Sequence, residues 1–323
     1  MNRVLLVGAG QIGSRHLQAL RAVRPALDIT VVDPSRESLS TARQRYDSAP
    51  PEAAPHRVEY CRDIGAIAPV DIAIVATASN VRRRVVEQLL AAAPVRFMIL
   101  EKVLFANHID YGAVSKAIAA SGTHAWVNCP RRLWPVYRSL RERLGRRRIC
   151  YHASGSKFGL MCNAIHFLDH ASFLTGCSDF ELDTSHLDPT PEPSKRPGFF
   201  EFNGSLIGSY KDGSRVHLEC VGSGSAPLLM EILADDRRCV IMEKDGLLHE
   251  SAAGNGWSPV ARSFVHPLQS TLTASVVENL LAIGDCGLTG YEESCHLHLQ
   301  LLQPLAKFIA GTSVKSDLDY PFT

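Results

Sequence analysis

Three parts of this chain can do chemistry: a glycine-rich turn closed by an aspartate, a lysine delivered directly after a buried strand, and a polar stripe on an apolar helix. The turn is Gly8-Ala9-Gly10-Gln11-Ile12-Gly13, entered from the apolar run 4–7, and Asp33 ends the next apolar run. In a strand–turn–helix setting the first glycine permits a tight turn, the second lets backbone N–H groups reach a pyrophosphate, and the third lets the helix pack close to its strand. A helix expected over 11–23 would present unpaired N–H groups and the positive end of its macrodipole to phosphates, with Gln11 and Ile12 in its first turn. The Asp33 carboxylate can accept from both ribose hydroxyls and would repel a 2′-phosphate, which points to NAD rather than NADP. An arginine such as Arg36 can pair with a 2′-phosphate, but it reads rather as the solvated start of a helix.

Strand ends on the carboxyl side of such a sheet line a cofactor crevice. Thr77, Ser79 and Asn80 follow an apolar run and can cap a helix, border a nicotinamide, or do both. Glu101 and Lys102 follow the apolar run 97–100. An ammonium group half-buried beside a nicotinamide cation holds its proton less firmly and can trade it with a substrate hydroxyl or carbonyl. Cys162, Asn163, His166, Asp169 and His170 recur at spacings of three and four, along one broad face of a predicted helix. That stripe, entered through the loop 155–159, can wall a site; taken alone, His166 reads as a core histidine, and Asp169 can orient it. Asn128 and Arg132, with Arg131, either bind substrate or structure the domain junction. Residues 82–84 and 146–148, all arginine-rich, read as solvated helix faces or ends. Lys195 and Arg196 read as loop charges.

These residues need elements to hold them. Apolar runs at 29–33, 58–60, 71–77, 97–101 and 124–128 alternate with helical patterns, which implies parallel strands, crossover helices and a doubly wound sheet. The Pro- and Ala-rich stretch 49–55 reads as a surface loop. After about residue 154 the pattern changes to one helix over 162–175 and strand-like runs at 180–187, 199–210, 215–221, 228–233, 238–243 and 247–250. Turn signals at 211–213 and 244–246 make that sheet mostly antiparallel. Two helices, 271–283 and 292–310, end the chain, with Thr289 and Glu292 spaced for a capping box. The expected division is a dinucleotide-binding α/β domain over 1–125 and an α+β domain over 126–323 for substrate binding and oligomerisation. Helices in the second domain are too few to cover both faces of its sheet, so the bare face is expected to meet a second copy, giving a homodimer or homotetramer.

Composition narrows the function classes. With 46% hydrophobic and 21% charged residues in 323, the chain is ordinary globular protein, and a formal charge of +1 gives no bulk attraction to nucleic acid or an anionic membrane. No apolar run approaches the roughly 20 residues that span a bilayer, so no membrane association is expected and the cytoplasm is the default address. Nine cysteines without a CxxC pair fit neither a disulfide framework nor a zinc cluster, and no metal site is expected.

The order GAGQIG, a strand ending in Asp33, IVATAS at 74–79, Glu101-Lys102, Arg132 with Pro135, and His166 with Asp169 resembles the Gfo/Idh/MocA family, the glucose-fructose oxidoreductase and inositol dehydrogenase relatives. The resemblance runs through nearly the whole first domain and the first helix of the second, and fades to overall pattern beyond about Cys177. It implies that Lys102 is the EKP lysine, near C4 of the nicotinamide, and that His166 is the histidine of the DxxxH motif. Three positions depart from the family pattern: Val103 stands for the usual proline, Cys162 for an aspartate that assists the proton relay, and Arg82 for a histidine, at a position read as peripheral. The form CNAIHFLD is similar to members associated with surface-polysaccharide and nonulosonic-acid sugar pathways. The implied activity is NAD-dependent hydride transfer at a hydroxyl-bearing carbon of a sugar, sugar derivative or cyclitol, with Lys102 and His166 handling the proton. A regulatory NAD-binding protein without turnover, and a reductase of imine or tetrapyrrole substrates, are the alternatives.

Overall fold

Apolar runs that alternate with amphipathic helices bury their strands on both faces, and the chain does this in its first part. A computed structural model describes residues 1–50, 53–65 and 67–323. The loop expected over 49–55 therefore includes two residues, 51 and 52, outside the described ones. In chain order the elements begin β1 (Asn2–Val7), α1 (Gln11–Leu20), β2 (Leu27–Val32), α2 (Arg36–Asp47), β3 (Arg57–Cys61), β4 (Val70–Val75), α3 (Ser79–Ala92), β5 (Val95–Leu100), α4 (His108–Ser121) and β6 (His124–Val127). They continue α5 (Pro135–Leu144), β7 (Cys150–Ser156), α6 (Leu160–Thr175), β8 (Phe180–Asp183), β9 (Glu192–Pro193), β10 (Phe200–Glu201), β11 (Gly204–Tyr210), β12 (Arg215–Val221) and β13 (Leu229–Leu233). The last are β14 (Arg237–Met242), β15 (Leu247–Ala252), β16 (Val260–Ser263), α7 (Gln269–Ile283), β17 (Thr289–Gly290) and α8 (Tyr291–Ala310).

The chain forms two units, Met1–Asn128 with Pro267–Glu292, and Cys129–His266 with Glu293–Thr323. In the first, strands run in the order β6-β5-β4-β1-β2-β3, all parallel, with β17 added antiparallel to β6. The strand order reverses between β1 and β4, and in such sheets ligands bind beyond the carboxyl ends at that reversal. The sheet core is fully apolar, with Leu5, Leu6, Ile29, Val31, Ile72, Ile74 and Ile99 buried. One piece comes from far along the chain: α7 turns Val276, Val277 and Leu280 inward, and His16 of α1 meets its Thr273 at 2.8 Å. Thr289 lies in β17, just before α8, and Glu292 accepts from the Ser115 hydroxyl at 2.6 Å.

The second unit is an eight-stranded sheet in the order β16-β15-β14-β13-β7-β12-β11-β8. Every pairing is antiparallel except β7 with β12. The expected strand 199–210 is two, β10 and β11, because Gly204, the first residue of β11, has φ +98 and a Cβ there would lie 2.4 Å from the His186 carbonyl oxygen. One face of the sheet buries Tyr151, Ala153, Leu206, Leu218, Met230, Ile232, Ile241 and Leu248. On the other, Arg215, His217, Glu231 and His249 stand among half-buried Leu229, Val240 and Met242, so that face is mixed in character. Among the described residues no helix is long and apolar enough to cross a membrane, and no group of three or more His, Cys, Asp or Glu is arranged to hold a metal ion.

Candidate active site

The turn after β1 is shaped by what its glycines exclude. A Cβ at Gly13 would sit 1.8 Å from the Gly8 carbonyl oxygen, and one at Gly8, where φ is +94, would lie 2.8 Å from the Ala76 carbonyl carbon. Gly10 is different: a Cβ there would meet nothing within 4 Å. Two glycines are thus required by packing, and the third keeps an approach open at the N-terminus of α1, where no side chain caps the helix. Asp33, just past β2, accepts from the Ala9 N–H at 2.7 Å and the Ser35 N–H at 2.8 Å, which ties the turn to the start of α2. A carboxylate has lone pairs left after two such bonds. Open turn, helix start and anchored acid fit a dinucleotide: Gly10 with Gln11 and Ile12 would face the pyrophosphate, and Asp33 the ribose. Gln11 is exposed, its side-chain oxygen held by Arg45 at 2.7 Å, Ile12 is half-buried, and Arg36 is exposed.

Thr77, Ser79 and Asn80 follow β4 in the same unit. The N-cap of α3 is Ala78, with no side-chain cap, so these residues do not cap the helix. Ser79 is buried, Asn80 exposed, and the Thr77 hydroxyl is buried with no partner among the described residues. Glu101, past β5, is buried and accepts from His16 at 2.9 Å and from the Asn128 amide at 2.5 Å. Burial alone would push its carboxyl up, but the His16 hydrogen bond and charge, the Asn128 bond and the Lys102 charge outweigh it and hold Glu101 below the usual carboxylate range. Asn128 also donates to Gln269 at 3.0 Å, so Glu101 and Asn128 secure each other and α7.

Lys102 is half-exposed, and the peptide joining it to Val103 is cis. Its loop is gripped from α3 by Arg82, whose guanidinium donates to the carbonyls of Val103, Leu104 and Thr77, the Leu104 bond being 2.6 Å. Arg82 is 2% exposed, which corrects its reading as a solvated and peripheral residue. The signal was present: Ser79, Arg82, Val86 and Leu89 fall on the one face that α3 buries.

In the second unit the stripe on α6 divides. Of its 16 residues only Cys162, Asn163 and His166 are not buried. Asp169 belongs to an ion pair, with Arg132 Nη2 at 2.9 Å from its carboxylate and Glu293 completing the group at 2.8 Å. His170 lies in the core, its Nδ1 3.1 Å from the Tyr151 hydroxyl and its ring centroid 4.0 Å from that of Tyr137. Burial first, then the charges of Arg131 and Arg132, push its pKa well below the usual histidine value. Arg131 is taken by Glu243 through two bonds of 2.8 Å, and Tyr137 donates to the same carboxylate at 2.5 Å. Arg132, Asp169 and His170 thus brace α6, while Asn163 and His166 stand in its open window. A carboxylate that no sequence motif marked reaches this window from β10: Glu201 accepts from the Met161 N–H at 2.8 Å and the Cys162 N–H at 3.3 Å.

A doubly wound domain with a phosphate-binding glycine turn, joined to a domain built on one open sheet, defines a dinucleotide-dependent two-domain protein. Residues 2–129 match the Gfo/Idh/MocA model, described as an oxidoreductase family with an NAD-binding Rossmann fold, and the first domain belongs to that family. No curated protein matches the chain. Among solved structures it is similar to a UDP-N-acetylglucosamine 3-dehydrogenase from Acidithiobacillus ferrooxidans, with a TM-score of 0.72 and 15% identity over 96% of this chain and 98% of that one. An oxidoreductase from Agrobacterium radiobacter, in complex with NAD+, L-tartaric acid and magnesium, matches with a TM-score of 0.70 and 15% identity over 96% of each chain. A biliverdin reductase from Synechocystis, in complex with biliverdin and NADP+, matches with a TM-score of 0.69 and 13% identity over 95% of this chain and 99% of that one. The shared fold therefore extends over nearly the whole chain.

Proposed function

We propose that the protein is an NAD-dependent oxidoreductase acting at a hydroxyl-bearing carbon of a sugar, sugar derivative or cyclitol, with Lys102 and His166 as its proton-handling residues. The observation that carries this reading lies in the first unit. The open Gly10 edge, the anchored Asp33 carboxylate and the half-exposed Lys102 follow the carboxyl ends of β1, β2 and β5 in one parallel sheet. When bound, NAD supplies the hydride acceptor or donor. The residues must then manage the rest: oxidation of a carbinol needs its O–H proton to leave as the carbon gives up hydride, and Lys102 Nζ and the His166 imidazole take, hold and return that proton. Fixed Glu101 and the Arg82 grip on the loop keep Lys102 in place. Asn163, beside His166, offers an amide to substrate hydroxyls. Half-buried Leu229, Val240 and Met242 support self-association through the sheet of the second unit, as a dimer or tetramer.

NADH formation over a panel of free sugars, cyclitols and nucleotide sugars, with Lys102→Ala as control, tests the reading. Turnover of a carbinol that the variant loses supports it. NAD binding with no turnover across the panel would replace it with a regulatory role, and reduction of imines or tetrapyrroles alone would change the substrate class.

A further inference from the structure

The first two turns of α6 gather polar groups from three places. A Cβ built at Gly159, where φ is +74, would meet Cys162 Sγ at 2.9 Å, Glu201 Oε1 at 3.3 Å and Asn163 Nδ2 at 3.4 Å, so thiol, carboxylate and amide surround one point. Each has a defined bond. The Cys162 thiol donates to the Gly159 carbonyl at 3.4 Å, the Asn163 amide donates to the Phe158 carbonyl at 2.6 Å, and Glu201 accepts from the two helix amides. Those amides and the positive end of the helix favour a negative charge on Glu201 and fix where it sits. A second thiol lies within reach of that charge: burial pushes Cys220 up, the backbone at Phe158 and Gly159 draws it back, and Glu201 adds a smaller upward push. Of the other ionisable groups on these elements, Lys157 is exposed, Glu192 pairs opposite Glu201 across β9 and β10 and accepts from Asn203 at 2.8 Å, Glu219 is engaged by Ser205 at 2.8 Å and His217 at 3.3 Å, and Asp169 and His170 are engaged by Arg132 and Tyr151. His166 follows Cys162 by one helical turn, a spacing that stacks side chains on one face.

We propose that Glu201 is a positioning residue of the α6 window, a fixed negative charge that keeps the Cys162 thiol a neutral hydrogen-bond donor and strengthens the hold of the His166 imidazole on its proton. The catalytic consequence rests on the reading of His166 as a proton-handling residue, because a base matched to its task depends on the charges around it. The charge relation itself does not rest on that reading and needs no substrate to measure.

The test uses the full chain with Glu201→Gln and Glu201→Asp. Proton NMR titration of the imidazole signals, with His166→Gln to assign the resonance, reads the first arm. Iodoacetamide labelling of Cys162 from pH 6.5 to 10, followed by peptide mass spectrometry, reads the second. Removing the charge held at the start of α6 should lower the His166 midpoint by about half a pH unit, a roughly threefold change in proton affinity. The inflection of the Cys162 labelling rate should move down by at least as much, and Glu201→Asp should restore both midpoints toward the parent. Unchanged midpoints in Glu201→Gln would overturn the proposal, as would a labelling rate raised equally at every pH, which marks a loosened helix end. Should Glu201→Gln fail to fold, Glu201→Asp decides alone, because its shorter side chain withdraws the charge from the helix end: midpoints displaced downward, by less than about half a unit, support the charge role, and parent-like midpoints overturn it. Loss of the hydride-transfer reading would show separately, as Lys102→Ala leaving turnover unchanged.

Discussion

The glycine turn after β1 and the window on α6 both offer polar groups to a ligand, but they are built differently. In the turn the groups are backbone N–H, and the side chains that matter are the ones missing at Gly8, Gly10 and Gly13. From outside, Asp33, which follows the next strand of the same sheet, anchors it. In the window the groups are side chains on a helix that is otherwise buried, and the carboxylate that fixes its end comes from 40 residues along the chain. A site made of backbone is written in a short stretch and tolerates almost no change. A site made of side chains is assembled by the tertiary fold and can vary one group at a time.

That contrast can be broken most severely at the turn. Gly13→Ala would place a methyl 1.8 Å from the Gly8 carbonyl oxygen, so the variant is expected to lose folded first domain, read as insolubility or loss of the cooperative melt. Gly10→Ala meets open space and should melt like the parent, yet bind NADH at least ~10-fold more weakly, because the methyl enters the approach to the phosphates. A Gly10→Ala protein with unchanged NADH binding would dissolve the distinction between packing glycines and the ligand-facing one. Next in size, Lys102→Ala should cut turnover of a substrate found in the panel by about 10² to 10⁴ with the melting temperature kept, the effect of removing one proton-transfer group.

Arg82 tests whether side chains elsewhere set the backbone of the crevice. Arg82→Met strands three carbonyls, two buried and one partly so, and should cost about 3–5 kcal/mol in chemical denaturation, while Arg82→Lys, with a single ammonium to share, recovers part of it. A loss under about 1 kcal/mol would return Arg82 to a minor role. The smallest effect concerns the braces behind the window. Because the folded value of His170 is depressed, the neutral ring is equally held in both states above the ordinary value of 6.5, and its contribution is complete there. Below that pH the unfolded chain takes up a proton that the folded one refuses, so stability falls on acidification by up to about 1.4 kcal/mol per pH unit. Denaturation at pH 7 and pH 5 should show a steeper loss for the parent than for His170→Gln.

Legibility in the sequence followed the same division. The parallel sheet could be read because strands buried on both faces are continuous apolar runs, and the turn because glycines required by sterics have no substitutes. The strand β7 was missed: its Cys-Tyr-His-Ala-Ser-Gly-Ser alternates correctly, but Ala153 and Gly155 are too small to register as an apolar face, although the strand is central to its sheet. The stripe on α6 was visible as spacing, whereas its division was not. Asp169 and His170 are drawn inward by Arg132 and Tyr151, partners that spacing along one helix cannot reveal. Arg82 was misread because an arginine on a helix usually means water, and only its place on the buried face argued otherwise. Glu201 carried no signal at all, since a glutamate on a two-residue strand becomes informative only when its helix-end partners are known.

The return of residues 267–292 to the first unit sets an order of events during synthesis. Until α7 has left the ribosome, the inner face of α1 lacks Val276, Val277 and Leu280, and the His16 ring lacks Thr273. The nascent nucleotide-binding domain therefore waits, incomplete, while the whole eight-stranded sheet is translated between its two parts. A chain halted after residue 266 would carry every glycine of the turn and still be short of the helix that closes over α1.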